Sequence, residues 1–135
     1  MLSNPLSTVV VADPDPDYQR QIMTCLEPSF RCFPAGALRE AYQLVLRERP
    51  ALITLELDQP DGDGIGFVHY LQAEPTLQHI LIACVTHRSS VADKVRAFRA
   101  GADDYIVKPI HGPTFYGQML LLRRTGHMAR NFSKQ

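Results

Sequence analysis

The sequence predicts an α/β domain in three layers, a five-stranded parallel sheet with helices on both faces. Two observations carry that prediction. Short apolar runs alternate five times with segments of helical period, and right-handed crossovers leave few other packings for such a pattern. The chain has 135 residues, 45% of them hydrophobic, which suits a single domain with one sizeable core.

The elements follow in order. "TVVVAD" reads as a buried strand ending in Asp13. The helix "PDYQRQIMTCLE" puts Tyr18, Ile22, Cys25 and Leu26 on one face, with Asp15 as its N-cap and Pro16 in its first turn. "FRCF" is a weaker strand, expected near an edge. "ALREAYQLVLRER" places Leu38, Ala41, Tyr42 and Val45 at helical spacing. "LITLEL" is the third strand, Gly62 and Gly64 punctuate its exit loop, and "GIGFVHYLQ" is a short third helix. "HILIACVT" is the fourth strand. The fourth helix carries Val91, Val95, Phe98 and Ala102 on one stripe, with Gly101 placed to stop it. "DYIVKP" and "TFYGQMLLLRR" complete the set. No repeat or interdomain linker interrupts it.

Bulk properties restrict the function. Fourteen basic and fourteen acidic residues balance, so the whole-chain field demands neither nucleic acid nor an anionic membrane. The last acid is Asp104. Beyond it stand only Lys108, Arg123, Arg124, Arg130 and Lys134, and residues 123–135 read as a basic tail, a helix extension or linker. Cys25, Cys32 and Cys84 form no CxxC pair, which suggests buried free thiols in a reducing cytoplasm. No apolar run approaches the roughly 20 residues of a membrane helix, and "MLSNPLST" lacks the pattern of an export signal. A soluble cytoplasmic protein is expected.

Parallel sheets bind ligands beyond the carboxyl ends of their strands. Asp13, Glu56, Thr86 and Lys108 fall there, each from a different strand. Alone, Glu56 would be a solvated strand end and Thr86 a helix cap, but their convergence marks a site. Its neighbour "QPDGDG" is no calcium loop, because the twelfth position from Gln59 is Tyr70. No Ser-His-Asp order, HExxH, Walker loop or GxGxxG is present. No helix-turn-helix module follows the fifth helix.

Four stretches, "VVVADPDPDY", "RPALITLELDQPDGDG", "LIACVTHRSS" and "FRAGADDYIVKP", occur in an order that resembles the receiver domain of two-component response regulators. The resemblance covers residues 8–122 and implies a flavodoxin-like (βα)5 fold with strand order 2-1-3-4-5. It assigns Asp13 to the first acid of a magnesium site, Thr86 and Lys108 to phosphoryl contacts, and Tyr105 to the aromatic that reports the change. It also implies a fixed, cis turn at Lys108-Pro109. Two positions depart from the family. Pro14 stands where a second acid is expected, and Glu56 stands where the phosphoacceptor aspartate is expected. Asp58 sits where the family offers magnesium a backbone carbonyl.

Both departures weaken phosphoryl transfer. Magnesium requires near-octahedral oxygen ligation, and Pro14 removes one carboxylate, leaving Asp13 and Glu56 as weak metal candidates. No cofactor is therefore expected. The extra methylene of Glu56 moves its carboxylate outward by about 1.5 Å, one carbon–carbon bond, and a misplacement near 1 Å costs ~10²-fold. Glu56 is expected instead to pair permanently with Lys108, a partial imitation of a phosphorylated aspartate. His87 either narrows the pocket or covers it.

The expected function is that of a non-enzymatic signalling module working through protein contacts. The partner is a second copy, a histidine kinase or an output domain outside this chain, met by the fourth helix, fifth strand and fifth helix with Phe115, Tyr116, Met119 and Leu120. Two alternatives stand beside it. One is a working phosphorelay receiver with a non-standard acceptor. The other is a phosphatase of haloacid-dehalogenase type, which "VVVADPDP" also resembles, with Asp13 as nucleophile and Asp15 as acid/base; against it, Asp103 and Asp104 precede Lys108.

Overall fold

The computed structural model describes residues 6–133, with side chains described as far as residue 126. The start of the "MLSNPLST" segment and the side chains of Arg130 and Lys134 therefore lie outside the described residues.

The elements are β1 (Ser7–Ala12), α1 (Pro16–Leu26), β2 (Phe30–Ala35), α2 (Leu38–Glu48), β3 (Leu52–Leu55), β4 (Asp58–Gln59), β5 (Gly62–Asp63), α3 (Gly64–Ala73), β6 (Leu81–Thr86), α4 (Val91–Ala100), β7 (Asp104–Val107) and α5 (Gly112–Ser133). The main sheet runs β2-β1-β3-β6-β7 with every pair parallel. That is the order 2-1-3-4-5 once the two-residue strands β4 and β5 are set aside. These two form a separate antiparallel hairpin at the exit of β3.

Alternation along the strands builds the layers, because successive side chains point to opposite faces. Val10, Ala12, Ile53, Leu55, Ile82 and Cys84 join one core with residues of α2, α3 and α4. Val9, Val11, Leu52, Leu81, Ala83 and Val85 join the other with α1 and α5. The second strand is an edge as expected, and it tolerates Pro34, whose missing N–H costs no ladder bond on an open side.

Caps set the helix ends that frame the carboxyl edge of the sheet. Asp15 accepts from the N–H of Asp17 with Pro16 in the first helical turn, and Ser90 caps α4 by accepting from Asp93. Gly101 closes α4 at φ 122°, a conformation that glycine adopts without strain. The start of α2 has no cap of its own, since the residue there is Ala37. Asp61, from the β4–β5 turn, fills the role by accepting the N–H groups of Leu38 and Arg39 at 2.8 and 2.9 Å. Those two bonds hold the Asp61 carboxyl below its ordinary pKa. Gly64 permits the start of α3 to close on the chain leaving β3, as a Cβ there would come 2.7 Å from the Cα of Leu57.

The apolar faces of α4 and α5 turn in different directions. Of the expected α4 stripe, Val91, Val95 and Phe98 are 73%, 40% and 47% exposed, while Ala102, beyond the helix end, is buried together with Ala97. In α5, Phe115 and Met119 are fully buried, so they belong to the core and not to an interaction face. Tyr116 and Leu120 are half-buried against the same core, Tyr116 hydrogen-bonding Ser29, and among the described residues Leu121 is the large apolar side chain of α5 that reaches solvent.

Candidate functional site

Three strands deliver three charged side chains to one buried point. Asp13 follows β1, Glu56 follows β3 and Lys108 follows β7, and each strand's hydrogen-bond ladder carries past its end to fix the next residue. Asp13 N–H donates to Ala35, Glu56 N–H to Ala12 and Lys108 N–H to Thr86. The Lys108 ammonium donates to Asp13 Oδ2 at 2.7 Å and to Glu56 Oε1 at 3.0 Å. The side chains of Lys108, Asp13 and Glu56 are 1%, 2% and 4% exposed.

Two carboxylates against one ammonium leave a surplus negative charge in a dry place. Backbone amides absorb it. Asp15 N–H donates to Asp13 Oδ1 at 2.9 Å and Asp58 N–H donates to Glu56 Oε2 at 3.1 Å, so the oxygen of each carboxylate that Lys108 does not hold also has a partner. Burial alone would lower the Lys108 pKa, but its hydrogen bonds to Asp13 and Glu56 outweigh that, and the value lies above the ordinary one.

Aromatic rings cover the triad. The Tyr18 ring lies over the Lys108 ammonium at 4.1 Å to its centroid, a cation–π contact. His87 packs edge-on against Tyr18, with centroids 5.6 Å apart. Gln59 ties the floor together, donating from Nε2 to the carbonyls of Ala12 and Glu56.

The remaining expected pocket residues point elsewhere. Thr86 is buried, but its hydroxyl accepts the N–H of Arg88 at 3.2 Å. Asp58 is exposed and turned to Arg88, whose guanidinium reaches it at 2.7 Å. The bond to Asp58 holds the Arg88 pKa above its ordinary value. Tyr105 is half-buried and donates its hydroxyl proton to the Arg88 carbonyl at 2.8 Å. Burial, then the nearby charge of Asp93, pushes the Tyr105 phenol up to about 12. Asp15 is exposed and engaged as the α1 cap, so it does not converge with Asp13 as a phosphatase pair would require.

Sequence reasoning missed Tyr18, Gln59 and Arg88 as members of this rim. Tyr18 was visible only as an apolar-face residue of α1, and Arg88 follows Thr86 by two positions with nothing to distinguish it from a solvated arginine.

For a magnesium ion, the donor chemistry is a poor fit. Pro14 offers no carboxylate, and Asp13 and Glu56 both hold the same ammonium. Among the described residues no cluster of three or more His, Cys, Asp or Glu side chains is arranged to hold a metal, and no helix is long and apolar enough to cross a membrane.

Comparison with known proteins places these features in context. The profile of the response regulator receiver domain matches residues 9–117. The chain is 34% identical over 105 residues to the KDP operon transcriptional regulatory protein KdpE of Escherichia coli K12, covering 77% of this chain and 45% of that protein. It is also 34% identical over 128 residues to the transcriptional regulatory protein PrrA of Mycobacterium bovis, covering 93% of this chain and 54% of that one. The chain thus spans about half the length of the curated relatives it matches. In fold it is similar to the signal receiver domain of a LuxO-type repressor from Vibrio parahaemolyticus, with TM-score 0.86, 19% identity and coverage of 95% and 98% of the two chains. A CheY-like receiver from Methanospirillum hungatei gives TM-score 0.85 at 19% identity, covering 93% and 99%.

Proposed function

The chain belongs to the response regulator receiver domain family, and from that membership we propose that it serves two-component signalling as a protein-interaction module whose rim is set without phosphorylation. The observation that carries the reading is the closed Lys108–Asp13–Glu56 triad. An acceptor carboxylate needs a free oxygen in line with the incoming phosphorus, and phosphoryl transfer is chiefly positioning and charge neutralisation. Here one oxygen of Glu56 is held by Lys108 and the other by the Asp58 amide. Tyr18 sits on the same ammonium. The Lys108 charge, which would otherwise help neutralise a phosphoryl group, is already satisfied.

The same reading makes Glu56 a permanent but partial substitute for a phosphorylated acceptor, since it brings one negative charge where a phosphoryl group brings nearly two. It also assigns no magnesium to the rim.

The partner surface in this reading is the face formed by α4, β7 and α5, with the exposed Val91, Val95 and Phe98 of α4 as its apolar element. The relatives carrying the word transcriptional in their names suggest an output domain, or a protein that reads this face, as the partner. Contiguous exposed apolar patches mark contact sites.

The deciding experiment is treatment with acetyl phosphate, or with beryllofluoride, in the presence of magnesium, followed by intact mass and by amide NMR. The expected result is no added phosphoryl mass and no shift in the Glu56, Thr86 or Lys108 signals. A stable acyl-phosphate at residue 56 would overturn the proposal.

A further inference from the structure

Arg88 is held from five directions. Its guanidinium donates to Asp58 Oδ1 from Nη2 at 2.7 Å and from Nε at 2.9 Å. It lies 3.6 Å from Asp63 and 3.8 Å from Asp93. These carboxylates belong to β4, to the N-cap of α3 and to the first turn of α4. Through its main chain, Arg88 donates to Thr86 and accepts from the Tyr105 hydroxyl. The Tyr105 ring lies 6.3 Å from that of Phe98, inclined at 44°.

Three like charges meeting at one edge repel one another, and a single guanidinium satisfies them all. Without it, the β4–β5 hairpin and the start of α4 would lose their common partner and draw apart. Asp93 keeps other contacts, with Ser90 and with Arg96 at 3.4 Å, so the α4 end would still be capped. What would be released is the connection between β6 and α4, whose residue 88 carbonyl holds Tyr105. A lone exposed ion pair contributes little, but this guanidinium is only 22% exposed and shared among three acids.

We propose that Arg88 is the positioning residue for the partner face: its ion pairs fix the β6–α4 connection, the connection fixes Tyr105, and Tyr105 fixes Phe98 at the centre of the exposed α4 stripe. The inference rests on the reading above, in which no phosphoryl group is available to organise that connection.

The test is NMR of the whole chain without magnesium or any phosphodonor, so its outcome is separate from the phosphorylation experiment. Arg88→Ala removes the guanidinium but keeps the carbonyl that Tyr105 uses. The expected result is loss of the ring-to-ring NOEs between Tyr105 and Phe98, with displaced methyl signals for Val91 and Val95. Arg88→Lys, which retains the charge, should restore them in part, whereas Arg88→Met, which only fills space, should not. Should Arg88→Ala fail to fold, Asp58→Asn decides the matter, because it removes the carboxylate nearest the guanidinium and leaves Arg88 in place. Partial loss of the same NOEs in that variant supports the proposal. Unchanged NOEs in Arg88→Ala or in Asp58→Asn, or rescue by methionine equal to that by lysine, overturns it.

Discussion

The ammonium of Lys108 lies 3.0 Å from the carboxylate of Glu56, a residue 52 positions earlier in the chain. Neither side chain reaches solvent to any useful extent. Pairing of this kind is demanding, because the cost of stripping water from both charges is recovered only by close geometry and further hydrogen bonds. Asp13 and two backbone amides supply those further bonds.

Removing the lysine should therefore be expensive. Lys108→Ala strands two carboxylates in the core, and breaking a buried pair in this way costs about 3–5 kcal/mol. Urea unfolding at neutral pH should report that loss. A neutral-pH loss below about 1 kcal/mol, the range of exposed pairs, would mean the triad is solvated.

Alkaline pH should weaken the fold. The Lys108 pKa is raised in the folded state, so between its unfolded and folded values the native protein binds more protons than the unfolded chain. Stability from this group is complete below the ordinary lysine value and is lost as pH climbs through the folded value. Tyr105, pushed up to about 12, acts in the same direction. Comparing unfolding curves of Lys108→Met and Tyr105→Phe should flatten the alkaline decline separately at each position. A decline identical in both variants and the parent protein would assign it to other groups.

Tyr18 should act as a lid on the ammonium. In the intact protein, Lys108 should resist acetylation by acetic anhydride at mildly alkaline pH while the partly exposed Lys94 reacts. Tyr18→Ala should expose it, and peptide mass spectrometry should then find Lys108 acetylated at a rate approaching that of Lys94. Losing the ring should also cost about 1–2 kcal/mol, as for a desolvated cation–π contact. Equal protection of Lys108 with and without the ring would show that the triad is closed by its own packing.

Restoring the missing acids should restore chemistry. Glu56→Asp alone shortens the acceptor but leaves Pro14 in place of a ligand, so it should gain little phosphoryl mass from acetyl phosphate with magnesium. Adding Pro14→Asp should raise the yield clearly. Glu56→Asp should also alter the Tyr105 side-chain signals if the glutamate imitates a modified acceptor, and unchanged signals would remove that idea. Efficient phosphorylation of the parent protein would make the reconstruction meaningless.

Much of this architecture is legible in the sequence because local signals agree. Asp15 with Pro16, Ser90 with Asp93, and Gly101 mark helix ends by short-range chemistry. Short apolar runs place five strands, and the strand ends bring Asp13, Glu56 and Lys108 together. What stayed hidden depends on distant partners. The β4–β5 hairpin is too short to leave a periodic trace, and Asp61 caps a helix 23 positions away. Periodicity identifies a stripe but not which way it turns. On α4 the small Ala97 faces inward and Val91, Val95 and Phe98 face out, while on α5 Phe115 and Met119 do the opposite. The Arg88 hub was invisible because its three acids come from separate elements.

The sheet's two margins differ in how they discourage uninvited neighbours. Along β2, Pro34 withholds an amide hydrogen and Arg31 presents a charge, so a foreign strand finds a poor template there. Along β7 only four residues are available, too brief a run to zip against another sheet. Unwanted fibre-like growth is therefore resisted on both sides.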